Sequence, residues 1–276
     1  MPATLFVVST PIGNLEDITL RALRILREVA VIAAEDTRRT GHLLHHYQIA
    51  TPMVSLHEHN EREKTPGLLA RLQSGEALAV VSDAGTPLVS DPGFHLVREA
   101  VAAGIRVESV PGPSAVTAAL AVSGLPVDRF TFLGFPPARS VQRAAWFESL
   151  ATQPGTLVFF EAPHRIRPTL ETVHNVLGDR QIALARELTK VHETVSRGWA
   201  SDLLSADLEH RGEYVVLVSD QLREAEARPA EVSDADLRDE FWSMTKDDGH
   251  SARDAVASLA ERHQVSKQRV YKATRT

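Results

Sequence analysis

The stretch "VVSDAGTPLVSDPG", Val80 to Gly93, decides the reading of this chain. An apolar strand runs straight into a loop carrying two Asp, two Gly and two Pro, with Thr86 and two Ser among them. One Gly or one X-Pro pair is enough to reverse a chain, so this loop is shaped around something. The same layout recurs on either side of it. "TLFVV" (Thr4 to Val8), "VIAA" (Val31 to Ala34), "MVSL" (Met53 to Leu56), "LAVVS" (Leu78 to Ser82) and "VESV" (Val107 to Val110) are short apolar runs separated by helix-length stretches. The first such stretch, "DITLRALRILREVA", is expected to start at a cap on Asp17, with Ile18, Ala22, Ile25 and Val29 at helical spacing. This alternation predicts a largely parallel sheet covered on both faces.

A second alternation follows. "RFTFLGF" (Arg129 to Phe135), "TLVFFE" (Thr156 to Glu161), "QIALAR" (Gln181 to Arg186), "HETVSRGW" (His192 to Trp199) and "EYVVLVS" (Glu213 to Ser219) read as strands. Helices are expected near Gln142 to Leu150 and Pro168 to Leu177. The fold class is therefore α/β. One α/β domain spans 1–125, with its boundary near Leu125-Pro126; a second spans 126–220; residues 221–276 form a linker (Gln221 to Glu231) and a small helical tail. In that tail, one amphipathic helix to about Arg262 and a second capped by Ser266 resemble a helix-turn-helix, whose second helix carries Lys267, Arg269 and Lys272. A two-helix packing cap with solvated charges fits the same pattern.

Composition narrows the function. With no Cys among 276 residues, disulfides, thiolate zinc sites, iron–sulfur clusters and cysteine nucleophiles are excluded, and a cytoplasmic setting fits. The first ten residues do not read as a targeting segment, and no run approaches the roughly 20 apolar residues of a membrane span. The formal net charge is -6, yet Ser251 to Thr276 holds six basic residues (Arg253, Arg262, Lys267, Arg269, Lys272, Arg275) against Asp254 and Glu261. A basic tail thus rides on an acidic body.

In an open parallel sheet, ligands bind outside the carboxyl ends of the strands. Five unusual segments fall there: "STPIGNLED", "EDTRRT", "HEHNE", "SDAGTPLVSDPG" and "PGPSA". The chain has neither G-x-G-x-x-G after its first strand nor a P-loop, so hydride transfer and nucleotide hydrolysis recede. "GPSAV" lacks the second Gly of a nucleophile elbow, which leaves Ser114 as a helix cap or backbone-ligand position. "HEHNE", with His57 and His59, lacks the second His of H-E-x-x-H and reads as polar rim; no metal is expected. What remains is a set of backbone-rich loops suited to a ligand with many hydrogen-bonding edges and a localised positive charge, with Asp83, Asp91 or exposed carbonyls facing the cation. The plainer expectation for Asp91-Pro92-Gly93 is a helix start, Asp91 as cap and Pro92 at the first position.

Nine segments in order, "VVSTPIGNLEDITLRAL", "AAEDTR", "LHEHNE", "VVSDAGTPLVSDPGFHLVR", "VPGPSA", "GFPPA", "FFEAPHR", "ARELTK" and "RGEYVVLV", resemble the ribosomal RNA small subunit methyltransferase I family of tetrapyrrole-methylase-like enzymes. The resemblance implies two α/β domains of the tetrapyrrole methylase type, S-adenosylmethionine in the cleft between them, and a homodimer. It also implies 2′-O-methylation of a cytidine in the decoding region of 16S rRNA. The loop from Val80 to Gly93 would then wrap the cofactor with Gly85, Thr86, Leu88 and Val89, joined by Pro11, Ile12, Ser114 and Ala115, and by Asp83 as above. "TPIGNL" stands where tetrapyrrole methylases have a glycine-rich loop, which argues against a porphyrin-type substrate.

A ribose hydroxyl needs a base. Glu187 and Lys190 are favoured, with Glu35, Asp36 and His57 as further candidates; a salt-bridged domain contact explains Glu187 and Lys190 equally well. RNA needs cations placed locally on an acidic body, and Arg38, Arg39, Arg139, Arg143, His164, Arg165 and the tail are the candidates. A small-molecule methylase of the same fold leaves the basic tail unexplained, and a non-enzymatic RNA-binding protein leaves the rim loops unexplained.

Overall fold

The computed structural model describes residues 3–223, 233–246, 251–263 and 265–274. The chain parts into two compact units, Met1–Arg223 and Glu224–Thr276. The larger unit holds two five-stranded sheets.

The first sheet comprises β1 (Thr4–Val8), β2 (Val31–Ala34), β3 (Met53–Ser55), β4 (Leu78–Val81) and β5 (Arg106–Val110), in the order β3-β2-β4-β1-β5, every pair parallel. Helices α1 (Leu20–Glu28), α2 (Thr37–His46), α3 (Glu61–Gln73) and α4 (Phe94–Ala102) make the crossovers. The strands alternate between two cores. Phe6 and Val8 point into a cluster with Ala22, Ile25 and Leu26 of α1, while Leu5 packs with Leu68, Leu72 and Leu96 of α3 and α4. Both faces of the sheet are covered, as its unbroken apolar runs require.

The strand order places the ends of β4, β1 and β5 side by side, so three of the five unusual rim segments become neighbours. The first helix starts later than expected. Leu15–Asp17 closes into a 3₁₀ turn, Ile18 is extended, and Thr19 is the cap, its hydroxyl accepting from the Ala22 N–H at 3.1 Å. Asp17 therefore caps nothing here: the Asn14 side chain, accepting from Glu16 N, draws the chain into the tighter turn first.

The second sheet is mixed. It comprises β6 (Phe130–Phe132), β7 (Thr156–Glu161), β8 (Arg180–Arg186), β9 (Thr194–Trp199) and β10 (Tyr214–Leu222), in the order β6-β7-β10-β8-β9, with only β6 and β7 parallel. Helix α5 (Ala115–Ser123) follows β5 in sequence but packs on this sheet, through Val116, Ala119 and Leu120 against Val158, Ala183 and Leu217. The opposite face is covered by α6 (Ser140–Glu148), α7 (Ile166–Leu177) and α8 (Ala200–Ser205), with Phe147, Phe159, Leu170 and Val216 at its centre. β8 and β9 are antiparallel neighbours, which puts the intervening loop, 187–193, at one end of the sheet.

β10 runs on to Leu222, paired with Arg180, so the first residues of the expected linker are strand. The remainder of that linker, 224–231, lies outside the described residues, as does Arg275. The smaller unit has three helices among the described residues: α9 (Asp234–Lys246), α10 (Ala252–Arg262) and α11 (Lys267–Ala273). Leu237 and Phe241 of α9 supply part of a core shared with Val256, Leu259 and Val270, so the tail is more than a helix pair. Ser266 caps α11, accepting from Arg269 N at 3.2 Å. No helix among the described residues is long and apolar enough to cross a membrane.

Candidate active site

Three rim loops of the first sheet lock together. Thr10 and Gly85 exchange backbone hydrogen bonds, N–H to O at 2.8 and 3.0 Å, which ties the loop after β1 to the loop after β4. The Ser9 and Thr86 hydroxyls meet at 3.0 Å, and Thr10 Oγ1 donates to Ser82 O at 3.2 Å. Thr86 Oγ1 donates to Pro113 O at 3.4 Å, which brings in the loop after β5. Within the β4 loop, Leu88 and Ser90 have φ of 74° and 67°. Left-handed backbone at non-glycine residues costs roughly 1–3 kcal/mol each and persists only where the surroundings enforce it.

A cavity of about 350 Å³ opens between these loops and the second sheet. Ile12, Gly85, Thr86, Val89, Ser114 and Ala115 line it. Pro11, Asp83 and Leu88 do not reach its wall. The Asp83 carboxylate turns the other way, accepting from Asp36 N at 3.0 Å and pairing with Arg39 at 3.4 Å, while Glu35 Oε2 accepts from Asp83 N at 3.2 Å. Leu88 lies against Gly93, where a Cβ would come 3.2 Å from Leu88 Cδ1. Ser114 stands at the N-cap of α5 without a side-chain capping bond.

Asp91 is part of the cavity, not the expected helix cap. Gly93 occupies the cap position of α4, and the donors of that first turn go elsewhere: Glu61 Oε1 accepts from Gly93 N, His95 N and Leu96 N at 3.1, 2.7 and 3.3 Å. The last residue of "HEHNE" is therefore a cap delivered from another helix, and Asp91 is released to face the cavity. Burial pushes the Asp91 carboxyl up to about 6, opposed by its hydrogen bond with Ser82 and reinforced by the nearby charges of Glu35 and Asp83. In the same segment, His57 Nδ1 is buried without a hydrogen-bond partner among the described residues, its ring 6.1 Å from that of His59.

The opposite wall comes from the second sheet. Phe160, Glu161, Ala162 and Pro163 line it from the end of β7 and the residues after it, and Glu187, Leu188, Lys190 and Glu213 from the loop after β8 and the residue before β10. Lys190 Nζ donates to Glu187 Oε1 at 2.9 Å and to Glu213 Oε2 at 3.2 Å, and Glu213 N donates to Glu187 Oε1 at 3.0 Å. The hydrogen bond from Lys190 holds the Glu187 carboxyl below the usual carboxylate range. Burial pulls Lys190 down, but its bonds to Glu187 and the charge of Glu213 outweigh that and leave it raised. At neutral pH the two form an ion pair. Glu187 and Thr189 again carry positive φ, 51° and 67°.

Two glycines fit this loop closely. A Cβ on Gly13, in "TPIGNL", would lie 2.5 Å from Lys190 Cγ and 3.0 Å from Leu188 O. One on Gly212 would lie 2.5–2.7 Å from Cγ, Cδ and Oε1 of Glu187, on a backbone with φ of +88°. The first loop is thus seated against the loop that carries Glu187 and Lys190.

The basic candidates are scattered. Arg38 is exposed and pairs with Asp36 at 2.7 Å. His164 and Arg139 are exposed. Arg143 is buried, its guanidinium reaching Ala138 O, Pro168 O and Thr172, so its charge serves the packing of α6 on α7. Arg165 is half-buried, donating through Nη2 to Pro136 O and Pro137 O at 2.8 and 3.1 Å, with Nε 3.2 Å from the buried Glu161 carboxylate. Lys267, Arg269 and Lys272 lie on α11, where Arg269 Nε also sits 3.4 Å from Asp234 of α9.

Several wall residues had no role assigned from sequence: Phe135, Phe160, Glu161, Glu213 and Tyr214. Their signal was present, since each falls in or beside "GFPPA", "FFEAPHR" or "RGEYVVLV".

Two α/β halves meeting over one cleft define a methylase class: residues 4–204 match the family described as Tetrapyrrole (Corrin/Porphyrin) Methylases. The solved uroporphyrin-III-C-methyltransferase of Thermus thermophilus shares the fold, with a TM-score of 0.56 at 23% identity over 79% of this chain and 94% of that one. A diphthine synthase shares it with a TM-score of 0.60 at 17% identity over 80% and 91%. Much higher identity is found with proteins named ribosomal RNA small subunit methyltransferase I. That of Pseudomonas aeruginosa is 53% identical over 78% of both chains, and that of Escherichia coli O157:H7 is 45% identical over 97% of this chain and 93% of its own. The chain belongs to the ribosomal RNA small subunit methyltransferase I group of the tetrapyrrole methylase family.

Proposed function

We propose that this protein methylates small-subunit ribosomal RNA with S-adenosylmethionine as donor, and that the acceptor is the ribose 2′-hydroxyl of a cytidine in the decoding region of 16S rRNA. The supporting observation is the cavity of about 350 Å³, walled by the interlocked loops of the first sheet on one side and by an ordered carboxylate–ammonium cluster on the other, in a chain 45% identical over 97% of its length to a relative named ribosomal RNA small subunit methyltransferase I. The cavity suits a drug-sized ligand. It fits this donor because Thr86 and Ser114 bring polar groups to the cavity wall, while Asp91, Glu161, Glu187 and Glu213 outnumber Lys190 around a cation. Ile12, Gly85, Thr86, Val89, Ser114 and Ala115 would hold it, with Pro11, Asp83 and Leu88 supporting the loops from behind.

The bound donor supplies an electrophilic methyl group on a positively charged sulfur. Transfer would form an oxygen–carbon bond and break a carbon–sulfur bond, the electron pair leaving with sulfur, so these residues would have to align the hydroxyl with the methyl group. The two walls supply that alignment. The hydroxyl proton must also leave. Lys190, held protonated, is a donor and an anchor; Glu187, held ionised, accepts the proton. Its lowered proton affinity makes it a weak base, so its share lies toward the lower end of the usual 10²- to 10⁴-fold range. Arg38, Arg39, Arg165 and the α11 cations belong to the RNA side of this reading, and a cytoplasmic homodimer is its assembly.

The test supplies labelled S-adenosylmethionine to the purified protein with small subunits from cells lacking the modification, followed by nucleoside mass spectrometry. One 2′-O-methylcytidine in the decoding region is the expected product. Unlabelled RNA alongside demonstrable cofactor binding would refute the reading and favour a small-molecule acceptor.

A further inference from the structure

"GFPPA", Gly134 to Ala138, has no part in the chemistry above, yet the structure builds it with care. Phe160 N donates to Gly134 O at 2.8 Å, and Arg165, anchored on buried Glu161, donates to the carbonyls of both Pro136 and Pro137. Gly134 lies against Ser90 of the β4 loop. Two prolines fix φ and offer no N–H donor. What this clamped loop presents is the Phe135 ring, 59% exposed and lining the cavity. The ring of Phe160 sits 5.4 Å from it, and that of Phe132 lies 5.0 Å from Phe160, so the three rings form one aromatic cluster against the second sheet.

A phenyl ring left largely in water forgoes part of the roughly 1.5–3 kcal/mol that full burial of such a side chain supplies. Its prolines offer no N–H donors, and the carbonyls of Gly134, Pro136, Pro137 and Ala138 are already engaged, so the ring is the larger part of what the loop presents. It offers a flat π face. The ring lines the same cavity as Gly85, Thr86 and Ser114 of the donor-binding loops, from the second-sheet wall that also carries Glu187 and Lys190. We infer that Phe135 is a stacking platform for the nucleobase of the nucleotide being methylated, with Arg165 and Glu161 positioning the loop that carries it; this rests on the RNA reading above.

Base–aromatic stacking is worth roughly 1–3 kcal/mol per base, or about 5- to 150-fold in affinity. The experiment measures S-adenosylmethionine Kd and small-subunit KM for wild type, Phe135→Ala, Phe135→Leu and Phe135→Trp. Expected are an unchanged cofactor Kd throughout, a KM at least about 5-fold higher for both Ala and Leu, and a KM near wild type for Trp. The Leu variant separates stacking from simple apolar packing: a wild-type KM for it overturns the inference, and so does a cofactor Kd that weakens as much as the KM. Wild-type enzyme that binds cofactor but labels no RNA refutes instead the reading on which the inference rests.

Discussion

Replacing Glu61 by Ala should disable a loop that it does not belong to. Its side chain is buried, 5% exposed, and one oxygen receives three N–H groups from the start of α4. Removing an ordinary helix cap costs about 0.5–2 kcal/mol, and leaving buried donors unpaired costs about 1–3 kcal/mol each. The three bonds share one acceptor and do not add, and the desolvation of the carboxylate is recovered, so about 3 kcal/mol is expected for Glu61→Ala. For a unit of this size that lowers Tm by about 6–12 °C. Glu61→Gln keeps an acceptor without the charge and should lose about half as much. Because the β4 loop ends at Gly93, cofactor affinity should fall in the same order, Ala below Gln below wild type. Thermal melts and calorimetric titration check both, with Glu76→Ala as the exposed ion-pair control, expected to cost under about 1 kcal/mol. If Glu61→Ala melts within 2 °C of that control, the distant cap is not what holds the loop.

Glu187→Gln should lower kcat about 10²-fold or more with little change in cofactor Kd, whereas Lys190→Ala should lower kcat and loosen the loop that bears Glu187; single-turnover rates and Kd measurements separate the two. Asp91 gives a pH signature: its folded pKa, about 6, lies above its unfolded value near 3.8, so the folded state binds the extra proton and stability falls as pH rises between those values. Asp91→Asn should therefore raise Tm relative to wild type by an amount that grows from pH 4 to pH 7 and then levels off, while weakening S-adenosylmethionine binding; a pH-independent difference would contradict the burial of its charge. Deletion of Glu224–Thr276 leaves β10 whole and should weaken small-subunit binding while sparing cofactor binding, read by filter binding and calorimetry; equal loss of both, or of neither, would refute it.

Local signals carried most of the architecture. Val31–Ala34 and Thr156–Glu161 match the apolar runs that predicted them, because a strand buried on both faces has no other way to be written. Ser266 caps α11 because its partner, Arg269 N, is three residues away. Legibility failed where the partner is remote. Nothing near Glu61 announces that its donors lie 32 to 35 residues on, so Asp91 was the better local candidate for the cap. The sequence marks the five rim segments alike; strand order alone sorts them, setting the loops of β1, β4 and β5 at the cavity and those of β2 and β3 behind it. The antiparallel half of the second sheet was equally hidden, since alternating apolar runs do not state their direction.

The cavity's two walls are made of different material, and they age differently under mutation. On the side of the first sheet the hydroxyl contacts of Ser9, Thr10 and Thr86 are joined by main-chain hydrogen bonds between Thr10 and Gly85, and peptide groups survive almost any exchange of side chain. On the side of the second sheet the surface is written in rings, carboxylates and an ammonium, each erasable by one codon. The molecule therefore keeps a conservative half and an editable half, and a designer wishing to offer the same donor a new acceptor would redraw the second while leaving the first alone.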